Sequence, residues 1–185
     1  MQFASTQHRT FRQQQRGFSL VELITVIIVL GTVAIVAAPR FSSTDTFAEY
    51  ALQQRLQTAM RTIQIQSMYD TRPNYCYKIN FVSGNASAFG PPTQNFQAGN
   101  ETQSCATIID YSVPRYLRTD ANELSAQGIN LEALDSGLNI TQITFNSLGQ
   151  PFTSAGSCAG GCEFTFSGGD SAKLCVSSEG YVHAC

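Results

Sequence analysis

The chain has 185 residues, 11 basic and 13 acidic side chains, a formal charge of −2 and six cysteines. That balance argues against generic nucleic-acid binding, which needs clustered Lys and Arg to displace counterions. No Walker loop, dinucleotide fingerprint or zincin motif is present, and no nucleophile is placed beside a base, so the sequence points to no enzyme and no cofactor.

Residues 1–17 carry Arg9, Arg12 and Arg16 and no acid. From Phe18 to Ala38 the only charge is Glu22. That run is long enough to cross a bilayer, which takes roughly 20 residues as a helix, and the arginines hold the leader on the cytoplasmic side. A carboxylate in such a run costs about 2.5–3.5 kcal/mol at a helix centre, and it points to a function. A cleaved secretory signal would have a shorter apolar core and no Glu near its start. A plain single-span anchor accounts for the span and leaves Gly17, Phe18 and Glu22 unexplained.

Gly17-Phe18-Ser19-Leu20-Val21-Glu22-Leu23, between a basic leader and an apolar run, resembles the type IV prepilin signature shared by pilins and type II secretion pseudopilins. Pro39 matches the proline often found further along that helix. The resemblance implies that a prepilin peptidase cuts after Gly17 and that the new N-terminal residue, Phe18, is N-methylated. Glu22 then becomes the fifth mature residue and meets the free amine of a neighbouring subunit in the fibre. Pairing matters there because an unpaired charge in a dry bundle of helices is costly. With the leader gone, eight basic residues face thirteen acids, a net charge near −5.

After Pro39, expected to kink or interrupt the helix, residues 40–46 are poor helix formers. Thr46 and Glu49 stand at capping-box spacing. A second helix is predicted from about Phe47 to Tyr69, with Leu52, Leu56, Ala59, Met60, Ile63 and Ser67 on one core-facing stripe. Gln53, Gln54, Arg55, Gln57, Arg61, Gln64 and Gln66 fill much of the rest. Arg72-Pro73 ends it. The period then changes to two, and 75–82 reads as a strand. A long loop covers 83–104, with a short strand at 86–89. Further strands are predicted at 106–109, 140–146, 163–167, 173–177 and 181–184, and weak helical pieces over 114–134, notably 130–134. Arg115-Tyr116-Leu117-Arg118 is the one tight basic-aromatic cluster, read as a surface turn.

The plan is α+β: a long N-terminal helix, one half in the membrane and one half amphipathic, packed on an antiparallel sheet, which is also what the pilin resemblance implies. The expected organisation is a cleaved leader at 1–17, a transmembrane and assembly helix at 18–45 and a globular domain at 46–185, periplasmic or extracellular. Cys76, Cys105, Cys158, Cys162, Cys175 and Cys185 all fall in that domain. Disulfides persist outside the cytoplasm, and six cysteines leave fifteen pairings open. The expected pairing is 76–105, 158–162 and 175–185: Cys158 and Cys162 are close across a flexible Ala-Gly-Gly, and Cys76 with Cys105 is the pair that remains. The 175–185 pair follows from a three-residue loop at 179–181 that sets Cys175 opposite Cys185. Zinc at Cys158 and Cys162 lacks a second ligand pair at a usual spacing, so no metal is expected.

Residues 143–151 and 174–182 are similar to the ends of minor pilins related to the H-type pseudopilin, most of all minor pilins of the mannose-sensitive haemagglutinin (MSHA) system. The resemblance implies a minor subunit that helps initiate or decorates an adhesive pilus. An H-type pseudopilin of a secretion machine is the alternative, and a tip that binds a glycan or DNA the second alternative. Implied partners are other pilins, the prepilin peptidase and an inner-membrane assembly platform, with the chain in the inner membrane before assembly and in an extracellular pilus afterwards.

Overall fold

The computed structural model describes residues 18–41, 47–95 and 101–185, with side chains described for all of these except 36–41. Gly17, the rest of the leader and Thr46 lie outside the described residues. The chain divides into two compact units, Met1–Ser43 and Thr44–Cys185.

The first unit holds helix α1, Leu20–Phe41. Ser19 caps it: its Oγ accepts from the Glu22 N–H at 3.2 Å, and its carbonyl accepts from the Leu23 N–H. Thr25 and Thr32 turn their hydroxyls back onto the carbonyls of Glu22 and Val29, both at 2.9 Å. Their donors are thereby satisfied inside the helix and the surface stays apolar. α1 runs through Pro39 to Phe41, so the proline does not end it; a ring with φ near −65° is compatible with helical backbone, at the cost of one donor and of crowding against the carbonyl four residues back. Among the described residues no helix is long and apolar enough to cross a membrane; side chains of α1 are described only as far as Ile35.

The second unit is α+β. Helix α2, Ala48–Tyr69, buries Leu52, Leu56, Ala59, Met60, Ile63 and Ser67, the predicted stripe, and adds Glu49 and Gln53 to it. Two antiparallel sheets stand where a single sheet was predicted. Sheet A contains β1 (Lys78–Val82), β2 (Ala88–Gly90), β5 (Gln142–Phe145) and β6 (Pro151–Thr153), in the order β2-β1-β5-β6. Sheet B contains β3 (Asn130–Asp135), β4 (Leu138–Asn139), β7 (Cys162–Ser167), β8 (Ser171–Val176) and β9 (Val182–Ala184), in the order β4-β3-β7-β8-β9. One apolar core joins α2 to both sheets. Phe81 of sheet A meets Phe164 of sheet B at 5.0 Å between ring centroids, and Phe89 meets Phe166 edge-on at 6.1 Å.

Several predicted elements change. Asn130–Asp135 is a strand, not a helix. Leu131, Ala133 and Asp135 point inward in alternation, and the whole segment pairs with β7. Leu131 and Leu134 also fit helical spacing, and long-range pairing decided between the two periods. Residues 106–109 are not a strand. The carbonyls of Ala106 and Ile108 accept from the Asn80 amide, and that of Cys105 from Lys78 Nζ, so side chains of β1 take the place of a ladder. The first strand begins at Lys78, not at 75, and β4 and β6 are additional. Short helices occupy Glu101–Ser104 (α3) and Glu123–Ala126 (α4), with a 3-10 turn at Arg115–Leu117.

Thr46, one half of the predicted capping box, lies outside the described residues; the other half, the Glu49 carboxylate, has a partner elsewhere. It accepts from the Asp170 N–H at 3.0 Å, in the β7–β8 turn, and α2 starts without a side-chain cap. The C-terminal hairpin is also shifted from the predicted register. Cys175 faces His183, Val176 faces Val182, and the Cys185 N–H donates to the Lys173 carbonyl. The turn closes one step earlier than predicted, with Ser177 and Tyr181 hydrogen-bonded across it and Gly180 at φ +89°.

Candidate assembly segment and its support

Phe18 lies two residues before α1 and Glu22 in its first turn. Every large apolar side chain described there is exposed, from 42 % at Ile24 to 84 % at Phe18. Glu22 projects from the first turn, where the helix dipole favours a carboxylate. None of the five ion pairs among the described residues involves it. Among the described residues the segment therefore presents an acid without an ion pair beside an uncovered apolar surface.

The globular unit closes its own edges instead. At β2, Phe89 donates to Thr119 Oγ1 and accepts from the Thr119 N–H, so the 118–119 segment occupies the edge. At β6, Pro151 has no N–H and the Thr153 N–H is taken by Gly156 of its own loop. At β9, the Val182 carbonyl accepts from Arg61 at 2.8 Å and Gln57 at 3.3 Å. β4 has two residues only. Each is a way of blocking strand-to-strand association.

The donors on α2 form a row that sequence reasoning missed. Gln53 donates to the Lys173 carbonyl, Gln57 and Arg61 to Val182, and Gln64 to Gly149 and Gly180 at 2.7 and 2.8 Å. These residues recur at helical spacing, which was the available signal; amides on an amphipathic helix read as solvated. Gly180 sits so close to Gly149 that a Cβ there would overlap the Gly149 carbonyl and Gln64. One helix, the β5–β6 turn and the β8–β9 turn meet at that point.

The bridges present are Cys76–Cys105, Cys158–Cys162 and Cys175–Cys185, with no free cysteine. The last is a diagonal link across β8 and β9, with 5.9 Å between Cα atoms. Asp135, Cys158 and Cys162 bring an oxygen and two sulfurs within 4.8 Å. The sulfurs are bonded to each other, so no thiolate ligand is offered. The carboxylate instead accepts from Thr153 Oγ1 at 2.6 Å, the Cys158 N–H at 3.1 Å and Ser136 Oγ at 3.1 Å. Burial works to raise its pKa, and those three donors outweigh it, holding Asp135 below the usual carboxylate value. It thereby ties β3 to β6 and to the disulfide loop.

Arg115 and Arg118 both pair with Asp120, and Arg118 also donates to the Val113 carbonyl. The basic-aromatic cluster is thus a structural turn. A cleft of about 460 Å³ is lined by Thr93, Gln103, Ile108, Asp110 and Tyr111 among others, with no Lys or Arg among the described residues of its wall.

Residues 12–38 match the family model described as the prokaryotic N-terminal methylation motif. No curated protein and no solved structure matches the chain. The motif implies processing by a prepilin peptidase, a membrane-anchored precursor and assembly with other pilins, and it supports membership of the type IV prepilin and pseudopilin family.

Proposed function

We propose that this chain is the precursor of a minor pilin, a structural subunit that helps initiate or decorates an adhesive type IV pilus of the MSHA kind. The observation that carries the reading is the α1 segment: a methylation motif at residues 12–38 that contains an apolar surface, Phe18 to Ile35, left uncovered among the described residues of its own unit. The run from Phe18 to Ala38 has the length of a bilayer span. In this reading the peptidase cuts after Gly17, Phe18 carries the methyl group, and Glu22 receives the amine of a neighbour. Leaving lipid then requires other helices around α1, and the blocked edges of both sheets leave α1 as the route to a polymer.

The second reading, an H-type pseudopilin of a type II secretion machine, rests on the same resemblance at residues 143–151 and 174–182, to minor pilins related to that pseudopilin. DNA capture at Arg115 and Arg118 is disfavoured, because both guanidinium groups already pair with the Asp120 carboxylate.

Mass spectrometry of sheared surface fibres tests the proposal. Wild-type peptides from this chain are expected in the fibres, starting at Phe18. The Gly17→Val variant is expected only in the membrane, as the longer precursor. A Phe18 terminus in that variant would defeat the cleavage site. Lost enzyme secretion on deletion, with intact pili, would replace the pilus reading by the pseudopilin.

A further inference from the structure

We infer that the three bridges are reached by thiol oxidation alone, between neighbouring cysteines along the chain, with no disulfide isomerisation step. The inference rests on the reading that the globular unit lies outside the cytoplasm. Each cysteine is joined to its next neighbour along the chain, at separations of 29, 4 and 10 residues, and none is left over. Closing a loop costs more entropy as the loop grows. Among the last four cysteines the native pairs close the shortest loops.

The nearest competing pair is Cys162 with Cys175, and the pleat of sheet B forbids it. Cys162 stands opposite Val176 and Glu163 opposite Cys175. Cys162 therefore faces the core, fully buried, while Cys175 faces the other side of the sheet. Bringing the two together needs a one-residue slip. That slip would set Phe164 and Phe166 against Lys173 and Ser171, in place of Leu174 and Ala172. The apolar pattern of β7 and β8 thus opposes the wrong pair as soon as the two strands meet, ahead of final closure of the core.

Burial completes the argument. Cys158 and Cys162 are both 0 % exposed, behind the Asp135 carboxylate. No external thiolate reaches that bridge in the folded domain, so its partners are chosen before the core closes. The chemistry is ordinary exchange with a protein disulfide oxidant. One cysteine thiolate attacks the oxidant's disulfide, whose S–S bond breaks to give a mixed disulfide. The second cysteine, as thiolate, attacks that mixed disulfide and forms the native bridge. The pair loses two protons and two electrons, and the oxidant leaves as a dithiol.

The test uses the full chain in three bacterial backgrounds: a parent, one lacking its extracytoplasmic thiol oxidase, and one lacking its disulfide isomerase. Free thiols are alkylated and peptides are mapped without reduction. The parent and the isomerase-deficient cells are expected to give the same three cross-linked peptides in equal yield. The oxidase-deficient cells are expected to lose most of them, with alkylated cysteines in their place. Cys162–Cys175 or Cys105–Cys158 links that accumulate only without the isomerase would overturn the inference, and undiminished bridges without the oxidase would overturn the oxidant's part. Six alkylated cysteines in the parent would overturn the extracytoplasmic reading, and the oxidation with it. In Cys158→Ser, Cys162 is expected as a thiol beside an intact Cys175–Cys185 link; a Cys162–Cys175 link would refute the register argument.

Discussion

Helices α1 and α2 have 22 residues each and use them in opposite ways. Apart from Glu22, α1 is apolar on all sides over its described side chains, turns its threonine hydroxyls inward and leaves its large side chains uncovered. α2 is rich in glutamine, yet it buries a full stripe and directs its amides at carbonyls of the β8–β9 hairpin and the β5–β6 turn. Hydrophobicity alone would rank α1 as the core helix. What separates them is where their partners are. The partners of α2 are on the same chain; those of α1 are, in the proposed reading, lipid and then other subunits.

Glu22→Val tests the α1 side most directly. Cleavage and membrane insertion are expected to continue, because the motif glycine is untouched and the helix gains comfort in lipid. Recovery in sheared fibres is expected to fall by about tenfold or more, since one partner of a desolvated charge pair is removed, a loss of several kcal/mol. Equal recovery of variant and wild type would rule this out.

Leu56→Ala and Leu23→Ala compare the two helices as cores. Leu56 is fully buried, and its truncation is expected to cost about 2–5 kcal/mol. Leu23 is exposed, and truncating it is expected to leave the midpoint of the globular unit within about 0.5 kcal/mol of wild type. Chemical denaturation in detergent reads both. A comparable loss from Leu23→Ala would mean that the first unit stabilises the second.

Gln64→Ala sharpens the comparison for polar groups. It leaves the carbonyls of Gly149 and Gly180 without their donor and is expected to cost about 1–3 kcal/mol. Gln54→Ala, on the exposed face, is expected to change stability by less than about 0.5 kcal/mol. Equal effects would show that the amide row is solvated after all.

The smallest effect is the pH response, expected from the globular unit alone. Asp70 is held below its usual value by Arg72, Asp110 by Ser112 and Thr93, and Asp135 by its three donors. Their contribution is complete above the unfolded carboxylate value, about pH 4, and is lost as pH falls through the depressed folded values. At the alkaline end, burial and the Asp70 charge push Tyr77 up to about 12. Its neutral form is favoured by the fold, so stability declines from about pH 10 upward. Thermal melts across pH are expected to be flat near neutrality. For Asp135→Asn a shallower acid limb is expected, and an unchanged limb would remove Asp135 from the account.

The apolar run at 18–38, the glycine before it and the lone Glu22 were legible in the sequence because a membrane-length segment follows composition and order along the chain. The α2 stripe was legible because helix burial repeats every 3.6 residues. Tertiary structure decided the rest. Asn130–Asp135 carries both periods and became a strand only because β7 offered a partner along its whole length. The division into two sheets, the hairpin register that makes Cys175–Cys185 diagonal, and the carbonyls that receive the α2 amides all depend on groups far apart in the chain. A local pattern states which face of an element is apolar. Which element covers that face, and which backbone group meets a given amide, is settled by the packing of the whole domain.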